Sequence, residues 1–179
     1  MIETPRLRLR SWREEDKPAF AEIINTPAMM AHFGGVASRE QIDALMDAQM
    51  ANQAEYGFSM WAVDVRATGE LAGICGLRKM PYAETPITGE LEAGWRIAER
   101  HWGTGVAREA AQAAFDWGWE NTDFPRVTAY TVAANVKSWG LMLKLGMGRR
   151  ADLDFRHPRF AADDPLGAMA VYALDRPRL

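Results

Sequence analysis

Residues 104–120 have the clearest helical pattern in the chain, and this helix limits how the neighbouring segments can pack. Its apolar residues recur at i, i+4, i+7, i+8 and i+11, which places them on one face: Val106, Ala110, Ala113, Ala114 and Trp117. Two glycines, Gly103 and Gly105, stand at its start. Glycine is costly inside a helix, so this pair predicts a helix entrance where the backbone bends sharply or must stay uncovered.

The segments before this helix have the pattern of strands joined by turns. Residues 6–10 alternate arginine with leucine, which is typical of a half-buried strand. Residues 58–65 and 71–78 form two further runs, and Gly69 between them suits a hairpin turn. Residues 90–97 make another strand-like run. These segments predict antiparallel strands before the helix.

The remaining segments complete a mixed pattern. A helix is predicted for residues 16–25. A second is predicted to begin after Ser38, the first residue of a capping box, and a third covers residues 136–145, where Gly146 would end it. Strands are predicted for 126–132, 147–155 and 168–174. Hairpins followed by strand–helix–strand–helix indicate an α/β or α+β fold around a mixed sheet. No linker divides the chain, so residues 1–179 are expected to form a single domain.

Composition excludes several classes of function. The net charge of −3 and a pI near 5.7 disfavour a surface for nucleic acid. Cys75 is the one cysteine in the sequence, so an intramolecular disulfide or a cysteine-based zinc site is impossible. The three histidines lack metal-ligand spacing, and we expect no metal. No run is apolar enough to span a membrane or to act as a signal peptide, so a cytoplasmic protein is expected.

The glycine-rich turn has three interpretations from its residues alone. Unpaired N–H groups at a helix start attract phosphate, and glycines let phosphate oxygens approach the backbone. A GxxxxGK[ST] loop is excluded because no lysine and hydroxyl follow, and a GxGxxG dinucleotide fingerprint lacks its third glycine. A bare helix entrance without a ligand remains an alternative.

Four motifs in order resemble the GNAT superfamily of N-acetyltransferases. Residues 100–105, RHWGTG, fit the R-x-x-G-x-G/A pyrophosphate loop of that family. The segment NVKSWGLMLKLGM has Asn135, Ser138, Lys144 and Gly146 in register with a second family motif. GFSMWAVDVRATGELAGICGL resembles the family's central hairpin, and LEAGWRI resembles its fourth strand. The sequence is most similar to the branch with the ribosomal-protein alanine and serine N-acetyltransferases.

The resemblance implies a fold and a cosubstrate. It implies a mostly antiparallel sheet of seven strands with four helices, splayed between the fourth strand, ending near Ile97, and the fifth, residues 126–132. Acetyl-CoA would lie in the splay, with Arg100 as a cationic contact to its pyrophosphate and Asn135 bonding the amide arm or capping the following helix. Backbone N–H groups would bind the pyrophosphate at Trp102, Gly103, Thr104, Gly105, Val106 and Ala107. Those around Trp95, Ile97 and Ala98 would polarise the thioester.

The resemblance also implies candidates for proton transfer. Glu92 would take the proton of the amine, directly or through water, with Glu90 in reserve; a surface carboxylate is the alternative reading. Many relatives carry a tyrosine as the thiolate's acid where this chain has Met142. Ser138 is a replacement candidate, although it is equally explained by helix capping. His157 would assist the base, contact the acceptor or have a structural role.

The sequence therefore predicts an acetyl-CoA-dependent N-acetyltransferase that transfers acetyl directly to a primary amine, either a protein N-terminus or a small molecule. Residues 27–38, 81–89 and 155–167 are the loops expected to select the acceptor. A non-catalytic acyl-CoA-binding module is the first alternative, and a nucleotide-binding oxidoreductase is the second. Both a monomer and a homodimer are compatible with the sequence.

Overall fold

A nine-stranded sheet forms the centre of the molecule in the computed structural model, which describes residues 1–177. The strand order is β1-β2-β3-β4-β5-β6-β9-β7, and β8 pairs with β9. All pairs are antiparallel except β5 with β6. The strands are β1 (Ile2–Glu3), β2 (Leu7–Arg10), β3 (Met60–Val65), β4 (Leu71–Lys79), β5 (Leu91–Ile97), β6 (Arg126–Val132), β7 (Gly148–Arg149), β8 (Phe155–Arg156) and β9 (Ala168–Asp175).

Five α-helices flank the sheet within the described part of the chain. They are α1 (Lys17–Ile24), α2 (Pro27–Met30), α3 (Arg39–Tyr56), α4 (Val106–Asn121) and α5 (Val136–Lys144). The expected fold class is confirmed, but there are more strands and helices than the expected seven and four. The additional elements are short: β1, β7 and β8 have two residues each, and α2 has four. The hairpins β3-β4-β5 are antiparallel, so the parallel βαβ unit of a dinucleotide-binding oxidoreductase does not occur there.

The two faces of the sheet carry different helices and separate apolar cores. Helices α4 and α5 cover one face, where Phe115, Leu91 and Val127 are fully buried. Helix α4 lies close to β4, because a Cβ built on Gly118 would be only 2.7 Å from Leu77 Cδ1. Helices α1 and α3 cover the other face around Phe20, Ile24, Ile42, Met46 and Ala62. The four predicted helices, α1, α3, α4 and α5, therefore each bury apolar residues of the stripe that predicted them. Among residues 1–177, no helix is both long and apolar enough to cross a membrane.

Two local predictions were wrong. The strand predicted for residues 147–155 is interrupted, because the Asp154 carboxylate pairs with Arg149 and accepts the N–H of Val171 at 3.0 Å. The chain leaves the sheet for one 3₁₀ turn at Ala151–Leu153 and rejoins it as β8 at Phe155. In the loop expected at 27–38, α2 begins at Pro27, and the Thr26 hydroxyl accepts the N–H of Met29 at 3.2 Å.

The parallel pair β5–β6 is very short. Only Leu91 with Val127 and Glu92 with Thr128 are paired, and the Thr128 hydroxyl donates to the carbonyl of Leu91 at 3.2 Å. Beyond these residues the strands separate and leave a cleft in the sheet. This is the splay that was expected between the fourth and fifth strands. Those strands are β5 and β6 here, because the additional two-residue strand β1 shifts the numbering by one.

Candidate active site

The loop before α4 has the open, sharply bent backbone that its glycines predict. Gly103 has φ +75° and Gly105 has φ +84°, values that side-chain-bearing residues rarely adopt. A Cβ built on Gly103 would meet no atom within 4 Å, so the loop is open on that side. The loop therefore borders free space at Gly103, whereas a Cβ on Gly105 would be 3.3 Å from Arg6 Nη2.

Several backbone N–H groups at this loop are without a partner. The N–H of Trp102 donates to the carbonyl of Glu99 at 3.0 Å, and that of Thr104 donates to the carbonyl of His101 at 3.4 Å. Within residues 1–177, five N–H groups in this loop and the first turn have no acceptor: those of Gly103, Gly105, Val106, Ala107 and Arg108. We call these five groups the N–H array. Together with the positive end of the helix dipole they can hold an anion.

The N-terminal residues fix the position of this loop. Arg6 donates from Nη1 to the carbonyl of Thr104 at 3.0 Å and from Nε to Glu109 at 2.6 Å. Thr4 donates its hydroxyl to the same carboxylate at 2.6 Å. Although burial raises it, these hydrogen bonds hold the pKa of Glu109 below its ordinary value. The acidic residue in the first turn is thus neutralised by Arg6.

Two cations flank the loop. Arg100, predicted as a phosphate contact, pairs with Glu70 and donates to the carbonyl of Leu71 at 3.1 Å, with 47% of its side chain exposed. A phosphate would therefore have to share Arg100 with Glu70. Lys137 of α5, which the sequence interpretation missed, lies with Nζ 4.0 Å from the centre of the Trp102 ring.

The backbone of β5 faces the cleft at alternate residues. The N–H of Ala98 donates to the carbonyl of Ala72 at 2.8 Å, towards the β4 side. Because antiparallel ladders alternate, the N–H groups of Trp95 and Ile97 point to the opposite side, where β6 has separated. The indole of Trp102 donates to the carbonyl of Ile97 at 2.6 Å. Of the three residues predicted near the thioester, two therefore present N–H groups to the cleft and Ala98 does not.

Asn135 and Ser138 begin α5 in the way that capping predicts. Asn135 Oδ1 accepts the N–H of Ser138 at 3.3 Å, and Nδ2 donates to the Thr131 hydroxyl at 3.1 Å. The Ser138 hydroxyl has no hydrogen-bond partner among the described side chains and backbone groups, so it remains free to act elsewhere. Met142 is 1% exposed and belongs to the core between α5 and the sheet. Its position therefore contributes packing rather than a proton.

Glu92 is buried in an ion pair. It is 5% exposed, and both of its oxygens accept hydrogen bonds at 2.9 Å from Arg78 on β4, the residue opposite it in the ladder. Arg78 also lies 3.4 Å from the Tyr130 hydroxyl. Although burial lowers it, the charge and hydrogen bonds of Glu92 raise the pKa of Arg78. Glu90, the reserve candidate, is likewise paired, with Arg126.

Aromatic side chains line the same face beside Glu92. The rings of Tyr82 and His157 are 4.5 Å apart, and those of Tyr130 and Phe155 are 5.1 Å apart. His157 is buried, and its Nδ1 accepts the N–H of Arg159 at 3.1 Å. Burial, with Arg159 and Arg78 nearby, lowers the pKa of His157. Burial raises the pKa of Tyr130, so its hydroxyl keeps its proton. Both shifts favour the neutral forms of His157 and Tyr130.

Sequence reasoning missed Arg78, Arg96 and Tyr130. A signal for Arg96 was present, because it lies at i+4 from Glu92 in a strand and so shares its face. Arg78 could not be assigned, since its pairing depends on the register between two strands. Within residues 1–177, no three His, Cys, Asp or Glu side chains are grouped as metal ligands.

Comparison with known proteins gives consistent matches. Residues 6–148 match the model of the acetyltransferase (GNAT) domain. The chain is 31% identical over 145 residues to "Uncharacterized protein YkkB" of Bacillus subtilis (strain 168), covering 80% of this chain and 83% of that protein. An acetyltransferase from Agrobacterium tumefaciens str. C58 superposes with a TM-score of 0.77 at 28% identity, covering 97% of this chain and 92% of that one. RimL, a ribosomal L7/L12 alpha-N-protein acetyltransferase solved with coenzyme A, has the same fold, with a TM-score of 0.74 at 17% identity over 96% and 95% of the two chains.

Proposed function

Because the chain belongs to the GNAT acetyltransferase family, we propose that it transfers acetyl from acetyl-CoA directly to a primary amine within a ternary complex. One observation carries the proposal: the N–H array lies at the start of α4, which follows β5 and leads to β6, the two strands that separate. The coenzyme A bound to RimL supports this choice of cosubstrate. We also propose that residues 1–179 act as one domain.

The residues around the cleft would each bind a different part of the cosubstrate. The N–H array would hold the pyrophosphate, with Arg100 and Lys137 adding positive charge. The N–H groups of Trp95 and Ile97 would bond the extended arm as a neighbouring strand does, and one of them would polarise the thioester carbonyl. The bound thioester supplies an activated acetyl group.

Proton transfer would use Glu92 and Tyr130 on the face opposite α4, and Ser138 at the start of α5. Both oxygens of Glu92 accept from Arg78, so Glu92 would receive the proton of the amine through water, using its remaining lone pairs. Two hydroxyls would compete to protonate the thiolate, that of Ser138 and that of Tyr130, and solvent is the third source.

A pair of glycine variants tests where the pyrophosphate binds. Gly103→Ala and the control Gly57→Ala introduce a Cβ at nearly equal φ, +75° and +79°, and neither Cβ would meet an atom within 4 Å. Both should lose about 1 kcal/mol of unfolding free energy because alanine disfavours this conformation. Gly57 ends α3, so only Gly103→Ala should weaken coenzyme A binding, by about 10-fold for one lost charge-assisted hydrogen bond.

Isothermal titration calorimetry with coenzyme A measures the affinity of each variant. Equal affinities for Gly103→Ala and Gly57→Ala would remove the N–H array from the proposal. A wild-type protein without any coenzyme A binding would refute the proposed function as a whole.

A non-catalytic acyl-CoA-binding module is the second candidate function. Met142 at the position of the family's tyrosine and the occupied oxygens of Glu92 both favour it. A thiol-release assay against primary amines and protein N-termini separates the two candidates. Coenzyme A binding without turnover of any amine would support the binding module.

A further inference from the structure

Arg96 is a cation without a counter-ion beside the candidate base. It lies on β5 on the same face as Glu92, which places it on the side of the sheet covered by α1 and α3. Its guanidinium carbon is 4.0 Å from the centre of the Phe33 ring, and its side chain is half-buried. Within residues 1–177, it makes neither an ion pair nor a side-chain hydrogen bond. Its donors are therefore unused.

The surroundings of Arg96 carry an excess of positive charge. Burial, together with the charges of Arg78 and Arg159, lowers the pKa of Arg96 to about 10. Arg78 is already neutralised by Glu92, whereas Arg159 is exposed and has no carboxylate partner in the described chain. Withdrawing a guanidinium from water without a partner is costly, so a binding anion would relieve this cost.

Arg96 and Arg159 are brought together by two loops that the sequence predicts to select the acceptor. Arg159 Nη2 donates to the carbonyl of Phe33 at 2.8 Å, which joins the loop at 155–167 to the segment at 27–38. Phe33 thus lies under one guanidinium and accepts a hydrogen bond from the other. The two cations therefore border one region around Phe33.

We propose that the acceptor is a small amine that also carries a carboxylate, and that Arg96 binds this carboxylate with Arg159 at the rim. The proposal rests on the proposed function, and it adds the substrate class. A planar guanidinium suits a carboxylate because it can donate two parallel hydrogen bonds. The neighbouring rings of Tyr82 and Phe33 favour an apolar group between the amine and the carboxylate. A polyamine would meet two like charges here.

Matched acceptors test the proposal on the wild-type protein. Free amino acids and their amides differ in the carboxylate, and rates are compared per neutral amine because amidation makes the amine less basic; spermidine provides a purely cationic amine. In a thiol-release assay with acetyl-CoA, kcat/KM should be about 10- to 100-fold higher for the acid than for its amide. Arg96→Gln should remove this preference while coenzyme A binding stays unchanged. The control Arg13→Gln alters an arginine whose partner Glu15 is exposed, and it should keep the preference.

The possible outcomes separate the two proposals. Amides or spermidine turned over as well as the acids, or an acid preference unchanged in Arg96→Gln, would overturn the carboxylate proposal alone. If no acceptor is turned over, calorimetry with the coenzyme A-loaded protein decides, and absence of saturable binding by every amino acid tested overturns it. A lack of coenzyme A binding refutes the proposed function instead.

Discussion

Replacing Glu92 by glutamine separates its structural contribution from its proposed role as a base. Both N–O distances to Arg78 are 2.9 Å, and the exposed fractions of the two side chains are only 7% and 17%. Removing one partner of such a buried pair leaves the other charge unpaired, which typically costs 3–5 kcal/mol. Glutamine keeps one acceptor oxygen, so we expect a loss of about 3 kcal/mol of unfolding free energy, or roughly 6–12 °C in Tm for a protein of this length.

A double-mutant cycle completes the experiment. Arg78→Gln should be destabilised by a similar amount, because it leaves Glu92 buried without its counter-charge. In the Arg78→Gln, Glu92→Gln double variant both charges are gone, and the loss should be smaller than the sum of the single losses by about 2 kcal/mol. Denaturant unfolding at pH 7 measures all four proteins of the cycle.

Activity in the same four proteins identifies the role of Glu92. If Glu92 receives the proton of the amine, kcat/KM should fall by about 10²- to 10⁴-fold in Glu92→Gln and stay low in the double variant. Recovery of kcat/KM in the double variant, in parallel with its stability, would refute the reasoning. Glu92 would then act only as the partner of Arg78.

The remaining predictions concern acid stability and the cysteine. Arg10 and the Arg13 backbone outweigh burial and keep the pKa of Asp16 low, while the hydrogen bond from Arg149 lowers that of Asp154. Such carboxylates stabilise the fold fully above their unfolded pKa of about 4, and this contribution is lost as the pH falls through the lower folded pKa. Denaturant unfolding followed by circular dichroism should therefore show a lower stability below about pH 4. Equal denaturant midpoints at pH 7 and pH 3 would contradict this. Burial raises the pKa of Cys75 to about 12, so a thiol reagent at pH 8 should label it only after unfolding; rapid labelling of the native protein would oppose the prediction.

Regular elements were predictable because their signals are local. The helix predicted at 104–120 is α4, Val106–Asn121, and the one predicted at 136–145 is α5, Val136–Lys144. The capping box at the start of α3 is also present, since Ser38 and Gln41 bond each other's backbone N–H groups. Apolar periodicity and cap residues act within a few positions along the chain, and a sequence displays them directly.

The cross-strand pairs of the candidate site were not predictable from the sequence. Glu92 was proposed from the family resemblance of its strand, but its pairing with Arg78 follows from the register of β4 against β5, which places the two residues opposite each other. The interrupted strand near Asp154 has a similar cause, because Asp154 bonds the backbone of Val171, 17 positions away. Cross-strand contacts of this kind depend on tertiary packing rather than local preference.

The brevity of the β5–β6 pairing has a mechanical consequence. Ile97 lies five residues beyond the joint at Glu92, a lever arm of about 17 Å at the usual rise of a strand. A rotation of about 5° at the joint would therefore move the far end of β5 by about 1.5 Å relative to β6, enough to make or break a hydrogen bond. The hydroxyl of Thr128, which donates to the carbonyl of Leu91, adds one further hydrogen bond at this joint.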